Sequence, residues 1–126
     1  MKRISFNPRF VNEAGNGLIE NKIHTIRANY DYWKKFEGQE LALFTWEGKP
    51  YRSGQKVFCV KRLVSVQEVI KSEVADFFLS ENDDAPIPKG LISKNDGFNE
   101  SYQFIDWFIN YPYGKYAILH FTDFQY

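Results

Sequence analysis

Phe104, Trp107, Phe108 and Tyr111 recur at i, i+3, i+4 and i+7. That spacing puts four aromatic side chains on one face of a helix. It is the one strong helical stripe in a chain otherwise patterned as strands. Asn99 is the expected N-cap, and Glu100 just inside suits the helix dipole. The helix is predicted near residues 99–110, with Pro112 and Gly114 to end it. Core packing is the expected use of its aromatic face. One such helix among strands predicts an α+β fold, a small mixed β-barrel of about five to six strands. At 126 residues the chain is expected to be a single domain, 1–126.

The strands are marked by their interruptions. Arg3-Ile4-Ser5-Phe6 is a short strand stopped at Asn7-Pro8, because proline has no N–H for a ladder. Asn12 to Gly17 is a turn, without the spacing of a phosphate-cradling loop. A strand covers Ile23 to Arg27, and Asp31 to Phe36 fits one helical turn ending at Gly38. Glu40 to Trp46 is a strand, and Glu47 to Gly54 a hairpin loop by its Gly and Pro content. A long strand runs from about Lys56 to Ile70, with Phe58, Val60, Val64 and Val66 on one parity. A strand of that length is expected to bend and serve two parts of a barrel. Ser72 to Leu79 fits either a helix or a strand, Ser80 to Gly90 reads as a loop, and Tyr116 to Phe124 is the closing strand.

Charge and cysteine usage narrow the function classes. Sixteen acidic and sixteen basic residues cancel. A neutral chain lacks the field that draws proteins to nucleic acid, which argues against tight, sequence-blind phosphate binding. The lone Cys59 sits in an apolar run, excludes an internal disulfide and is expected to be a buried thiol. No apolar run approaches the ~20 residues of a membrane span, and no signal-peptide pattern opens the chain. The expected location is cytoplasmic, with no membrane partner. His24 and His120 have no metal-ligand spacing, so neither a metal nor a cofactor is expected. The aromatics are abundant, 12 Phe, 8 Tyr and 3 Trp. Most belong in a core, and an excess suits a pocket for a planar ligand.

Two segments carry candidate chemistry. Lys22-Ile23-His24-Thr25-Ile26-Arg27 places a lysine, a threonine and an arginine within six residues. Side chains alternate along a strand, so Thr25 and Arg27 share a face with Ile23. Lys22 has the wrong parity to join them unless it precedes the regular strand or a bulge intervenes. The second segment is Asn95-Asp96-Gly97-Phe98, just ahead of the main helix.

Together these motifs resemble the ASCH domain of the PUA-like superfamily, in particular its small acetylcytidine amidohydrolase-type members. Phe6-Asn7-Pro8-Arg9-Phe10 resembles their F-x-x-R-F opening, and Lys22 to Arg27 their K-x-x-T-I-R. Phe36-Glu37-Gly38-Gln39 stands where they carry Gly-Asp, and Asp96-Gly97-Phe98 resembles their acidic-Gly-Phe motif. Asp96 replaces a glutamate, which shortens its reach by one methylene, a shift to which catalysis is sensitive. Gln39 replaces an aspartate, and Gly48 to Gly54 and Ser80 to Gly90 are insertions relative to the smallest members.

The resemblance implies a barrel cleft that binds a nucleoside, a modified base or an RNA end. Lys22, Thr25, Arg27 and Asp96 line it, Tyr30, Trp33 or Trp46 stack on the ligand, and Arg9 joins the binding residues. It also implies an alternative, hydrolysis of an N-acyl bond on an acetylcytidine-like compound. There Thr25 is the nucleophile, Lys22 its base and Asp96 the proton-transfer group. A third reading is a non-catalytic protein interaction domain.

Each residue also has a purely structural use. Lys22 suits a solvated strand entrance, Thr25 a β-strand, and Asp96 the start of a helix. Arg27 could form an ion pair with Asp31 or Asp96. Geometry separates the readings. A Thr25 hydroxyl bonded to the Lys22 amine, with Asp96 across a cleft, favours the enzyme; an Asp96 that only caps the helix at Asn99 does not.

Overall fold

A computed structural model describes residues 1–126. The strands are β1 (Lys2–Ser5), β2 (His24–Ala28), β3 (Glu40–Trp46), β4 (Gln55–Arg62), β5 (Ser65–Lys71), β6 (Phe77–Phe78) and β7 (Gly114–His120). The helices are α1 (Tyr30–Lys34), α2 (Lys89–Asn95) and α3 (Ser101–Phe108), with a 3-10 turn at Pro8–Phe10. The fold is α+β, as the strand-and-helix pattern implies. It has seven strands rather than five or six, and three helices rather than one main one.

The expected small mixed β-barrel does not close: the strands form two sheets, one ordered β1-β3-β4 and the other β2-β7-β5-β6. β1 runs parallel to β3, and every other pairing is antiparallel. The run from Lys56 to Ile70 bends, and it bends completely. Leu63 donates its N–H to Gln39 O, holding β4 to the first sheet, while Val64 donates to His120 O and starts the second. Within β4 a register shift opposite Leu43 and Phe44 pairs Cys59 and Val57 with them and leaves Phe58 over. Such a bulge reverses parity along a strand. Phe58 is therefore half-buried, Val60 is exposed, and Cys59 is half-buried rather than buried.

β7 is the strand around which the core divides. Tyr116 and Ile118 face a cluster with Phe10, Ile26, Val69, Phe77 and the helix residues Ile92, Phe104 and Phe108. Ala117 and Leu119 face a second cluster with Ile4, Phe6, Leu41, Leu43, Leu63 and Val66 between the sheets. A strand covered on both faces reads as an unbroken apolar run, which accounts for Ala117 to Leu119.

The helices depart from expectation at their ends. α3 is shorter than 99–110, and its N-cap is Glu100, not Asn99. The Glu100 carboxylate accepts from the Gln103 N–H while the Gln103 side chain accepts from the Glu100 N–H, a reciprocal capping box. α2 begins inside the segment expected to be loop. Pro88 stands at its N-cap, where a missing N–H goes unused, so the proline starts a helix instead of breaking one. Within Ser72 to Leu79 only the two-residue strand β6 forms, after a turn.

Phe104 is fully buried, whereas Tyr102 on the same helix is exposed. Phe104→Ala is expected to lower stability by about 3–5 kcal/mol, and Tyr102→Ala by less than about 0.5 kcal/mol. Urea unfolding of the two variants beside wild type measures the difference.

Candidate functional site

The cleft opens where β2, the segment after β1, the β3–β4 loop and α3 meet, and encloses about 440 Å³. Lys22 lies two residues before β2, so its off-parity position is no obstacle. A single antiparallel bridge joins Lys22 to Asp96, and the Ile23 N–H donates to Asn95 O at 2.9 Å. These backbone contacts bring the two motifs together. The Lys22 amine then donates to Asp96 O at 2.8 Å and to Asp96 Oδ1 at 3.0 Å, with both residues buried.

The glycine of Asp96-Gly97-Phe98 has two reasons to be there. Its φ is +95°, a region L side chains avoid. A Cβ at Gly97 would also stand 3.0 Å from Lys22 Cβ and 3.0 Å from Phe10 Cδ1. The motif therefore turns the chain tightly over the lysine stem. The lysine amine in turn lies 4.3 Å from the centre of the Phe10 ring.

Behind the pair lies a buried polar chain. His24 Nδ1 is 3.3 Å from Asp96 Oδ1, and His24 Nε2 is 2.6 Å from the Tyr126 hydroxyl. A neutral His24 with its proton on Nδ1 satisfies both contacts: Nδ1–H donates to Asp96 and Tyr126 O–H donates to Nε2. The Tyr126 oxygen then accepts from Asn95 Nδ2 at 3.1 Å. The next histidine, His120, sits 5.5 Å from the His24 ring, and its Nε2 lies 2.9 Å from Gln67 Oε1. His120 Nδ1 is buried without a partner.

Burial governs the electrostatics here. It pushes Lys22 below the ordinary lysine value; Asp96 opposes this, while Arg27 and Arg9 add to it. It pushes His24 down against the opposing hydrogen bond and charge of Asp96, and Tyr126 up. His120 falls to about 4, through burial first and then the His24 charge.

Thr25 and Arg27 stand on the cleft side of β2, as their shared parity implies. The Thr25 hydroxyl accepts from Arg27 Nε at 3.3 Å, and Arg27 Nη2 donates to Ser5 O at 2.5 Å. No hydrogen bond joins Thr25 to Lys22, whose amine is taken by Asp96. Asp96 is occupied by Lys22 and His24 and does not cap α3. Neither geometry proposed to separate the readings is met in full. Arg27 forms no ion pair with Asp31 or Asp96.

The aromatic residues divide. Trp46 lines the cleft, 5.1 Å from Tyr51. Tyr30 and Trp33 do not line it; they pack against the cluster between the sheets. Asn29, at φ 67°, turns the chain out of β2 there and carries α1 to the other side. Arg9 is exposed beside the cleft, its guanidinium 4.9 Å from the Phe98 ring centre.

Sequence reasoning gave no site role to Tyr51, Trp107 and Tyr111, which line the cleft, or to Tyr126, which buttresses it; His24 was weighed only as a metal ligand, and Asn95 entered only as part of the second segment. The helical spacing of Trp107 and Tyr111 was a signal, read only as core. No grouping of three His, Cys, Asp or Glu side chains is positioned to hold a metal. No helix is long and apolar enough to cross a membrane. Comparison with protein-family models, curated proteins and solved structures yields no match.

Gly97→Ala is expected to cost roughly 1–3 kcal/mol, since it adds both backbone strain and a contact on Lys22. Thermal unfolding beside Gly90→Ala, where a Cβ meets nothing within 4 Å, measures it. The buried histidines set a pH dependence. His120 titrates near 6.5 when unfolded and near 4 when folded. Between those values the unfolded chain binds the extra proton, so stability is full above pH 6.5 and declines as pH falls toward 4. The loss from His120 alone is up to roughly 3 kcal/mol. Unfolding free energies across that window should fall less steeply for His120→Gln than for wild type.

Proposed function

We propose that this chain is an ASCH-like, PUA-like domain that binds a nucleoside, a modified base or an RNA end in the cleft beside β2, and that it works in the cytoplasm. One observation carries the reading: Lys22, Thr25, Arg27 and Asp96, from two distant motifs, converge on one cleft whose lining also includes Trp46 and Tyr51. A planar base suits an aromatic wall, and its polar edge suits hydroxyl and cationic donors. The stacking role passes to Trp46 and Tyr51, because Tyr30 and Trp33 lie outside the cleft. The engagement of the Lys22 amine with Asp96, and of Thr25 with Arg27, favours binding over catalysis.

A second reading stays in play on one observation. Burial depresses Lys22, which brings the amine closer to a base in the same cleft as Thr25 and Asp96. Hydrolysis of an acetylcytidine-like amide would then need the Lys22 amine to move from Asp96 toward Thr25 on ligand binding, as catalytic contacts often tighten only in the substrate complex.

Calorimetric titration with cytidine and acetylcytidine, alongside a hydrolysis assay of the same samples, tests both readings. The binding reading expects cytidine-class ligands to bind and Trp46→Ala to weaken them by about 1–3 kcal/mol. The catalytic reading expects turnover of acetylcytidine that vanishes in both Thr25→Ala and Lys22→Ala. Absence of both binding and turnover would leave the interaction-domain reading in their place.

A further inference from the structure

Arg27 forms no close ion pair: the nearby Asp96 charge favours its protonated form, but that carboxylate is bonded to Lys22. The five close ion pairs in the molecule involve lysines and one histidine, never an arginine. The Arg27 guanidinium is half-buried in the cleft wall and bonds only to neutral oxygens, the Thr25 hydroxyl and the Ser5 carbonyl. An arginine has five N–H donors and stays charged, so most of its donors are unspent. Asp96 is the one carboxylate in the cleft lining, and Lys22 lies 3.0 Å from it. Arg9 adds a further unpaired cation at the rim. The chain as a whole is neutral, yet around this cleft three cations meet one carboxylate.

Enclosing an unpaired charge is costly unless a partner of opposite sign arrives. We propose that the partner belongs to the ligand, and that Arg27 is the anchor for a phosphate monoester on the nucleoside. The proposal rests on the nucleoside-binding reading above and specifies its substrate class: a nucleoside monophosphate, or the phosphorylated end of an RNA. A planar guanidinium fork matches a phosphate bidentately. Thr25 reinforces it. Its oxygen already accepts from Arg27 Nε, which leaves its own O–H free to donate to the same anion. The base then lies toward the Trp46 and Tyr51 wall, which comes from a separate part of the chain. Zero net charge disfavours long RNA, but it sets no limit on one locally paired phosphate.

The test titrates the full chain with cytidine, cytidine 5′-monophosphate and inorganic phosphate, at low and high salt. The monophosphate is expected to bind at least about tenfold more tightly than cytidine at low salt, the size of one charge-assisted contact. High salt should erode that advantage and leave cytidine unchanged. Arg27→Gln should abolish the advantage, and Arg27→Lys should keep part of it. Should Arg27→Gln fail to fold, the salt comparison on wild type decides alone. Equal affinity for cytidine and its monophosphate overturns the phosphate anchor and leaves the nucleoside reading standing. Stabilisation of wild type by inorganic phosphate, lost in Arg27→Gln, with no binding of cytidine, supports the anchor and removes the nucleoside reading. No response to any of the three overturns both. Within a positive result, short RNAs with and without a 5′-phosphate separate a chain end from a free nucleotide.

Discussion

The buried contact between Lys22 and Asp96 is the interaction on which the site depends. It joins residues 74 positions apart, in a region where both charges are out of water. Such a pair holds only when its remaining donors and acceptors are satisfied. Here that is met in part: the lysine also reaches the Asp96 carbonyl and Asp96 Oδ1 also meets His24, while Asp96 Oδ2 and one lysine N–H make no hydrogen bond within the chain. Losing one partner would strand the other, at a typical cost of about 3–5 kcal/mol. The neighbouring backbone is shaped to the pair as well. The bridge at Lys22 aligns the chains, and the left-handed turn at Gly97 clears the lysine stem.

From that contact a polar seam runs through an otherwise apolar interior. Asp96, His24, Tyr126 and Asn95 are linked in succession, and His120 and Gln67 continue the polar set at the end of β7. The two core clusters are built on opposite faces of β7, so His120 sits at the end of the strand they share. Low surrounding polarity strengthens each hydrogen bond in the seam and raises the cost of leaving one unmade. The seam ties Lys22 and Asp96 at the cleft to residues of the buried interior.

The cleft itself comes from the separation of the sheets. The bend at Leu63-Val64 sends β4 and β5 to different sheets, and the stop at Asn7-Pro8 does the same for β1 and β2. Ser5 at the end of β1 stays close enough to accept from Arg27 on β2. The end of β3 and the β3–β4 loop then add Trp46, Pro50 and Tyr51 to the cleft lining. Tyr51 holds a positive φ of 64° and is 90% exposed. Its ring centre lies 5.1 Å from that of Trp46.

Local pattern determined a good deal of this protein by itself. The period of Phe104 and Phe108, the stops at Pro8 and Pro112, and the Gly-rich loop after Trp46 each act over a few residues, so the α+β class and most strand positions were legible. So were Lys22, Thr25, Arg27 and Asp96, because their clustering and motif order are properties of the chain. Tertiary structure alone decided what those residues touch. Whether Lys22 meets Thr25 or Asp96 depends on a bridge across 74 positions, and whether seven strands close into a barrel or part into two sheets depends on hydrogen bonds at one bend. The exclusion of Tyr30 and Trp33 from the cleft follows from the left-handed turn at Asn29. The His24–Tyr126 contact spans 102 positions, and no local spacing encodes it. Side-chain pairing at such separations is set by how the sheets and helices pack, and the periodicities that identify those elements carry no record of it.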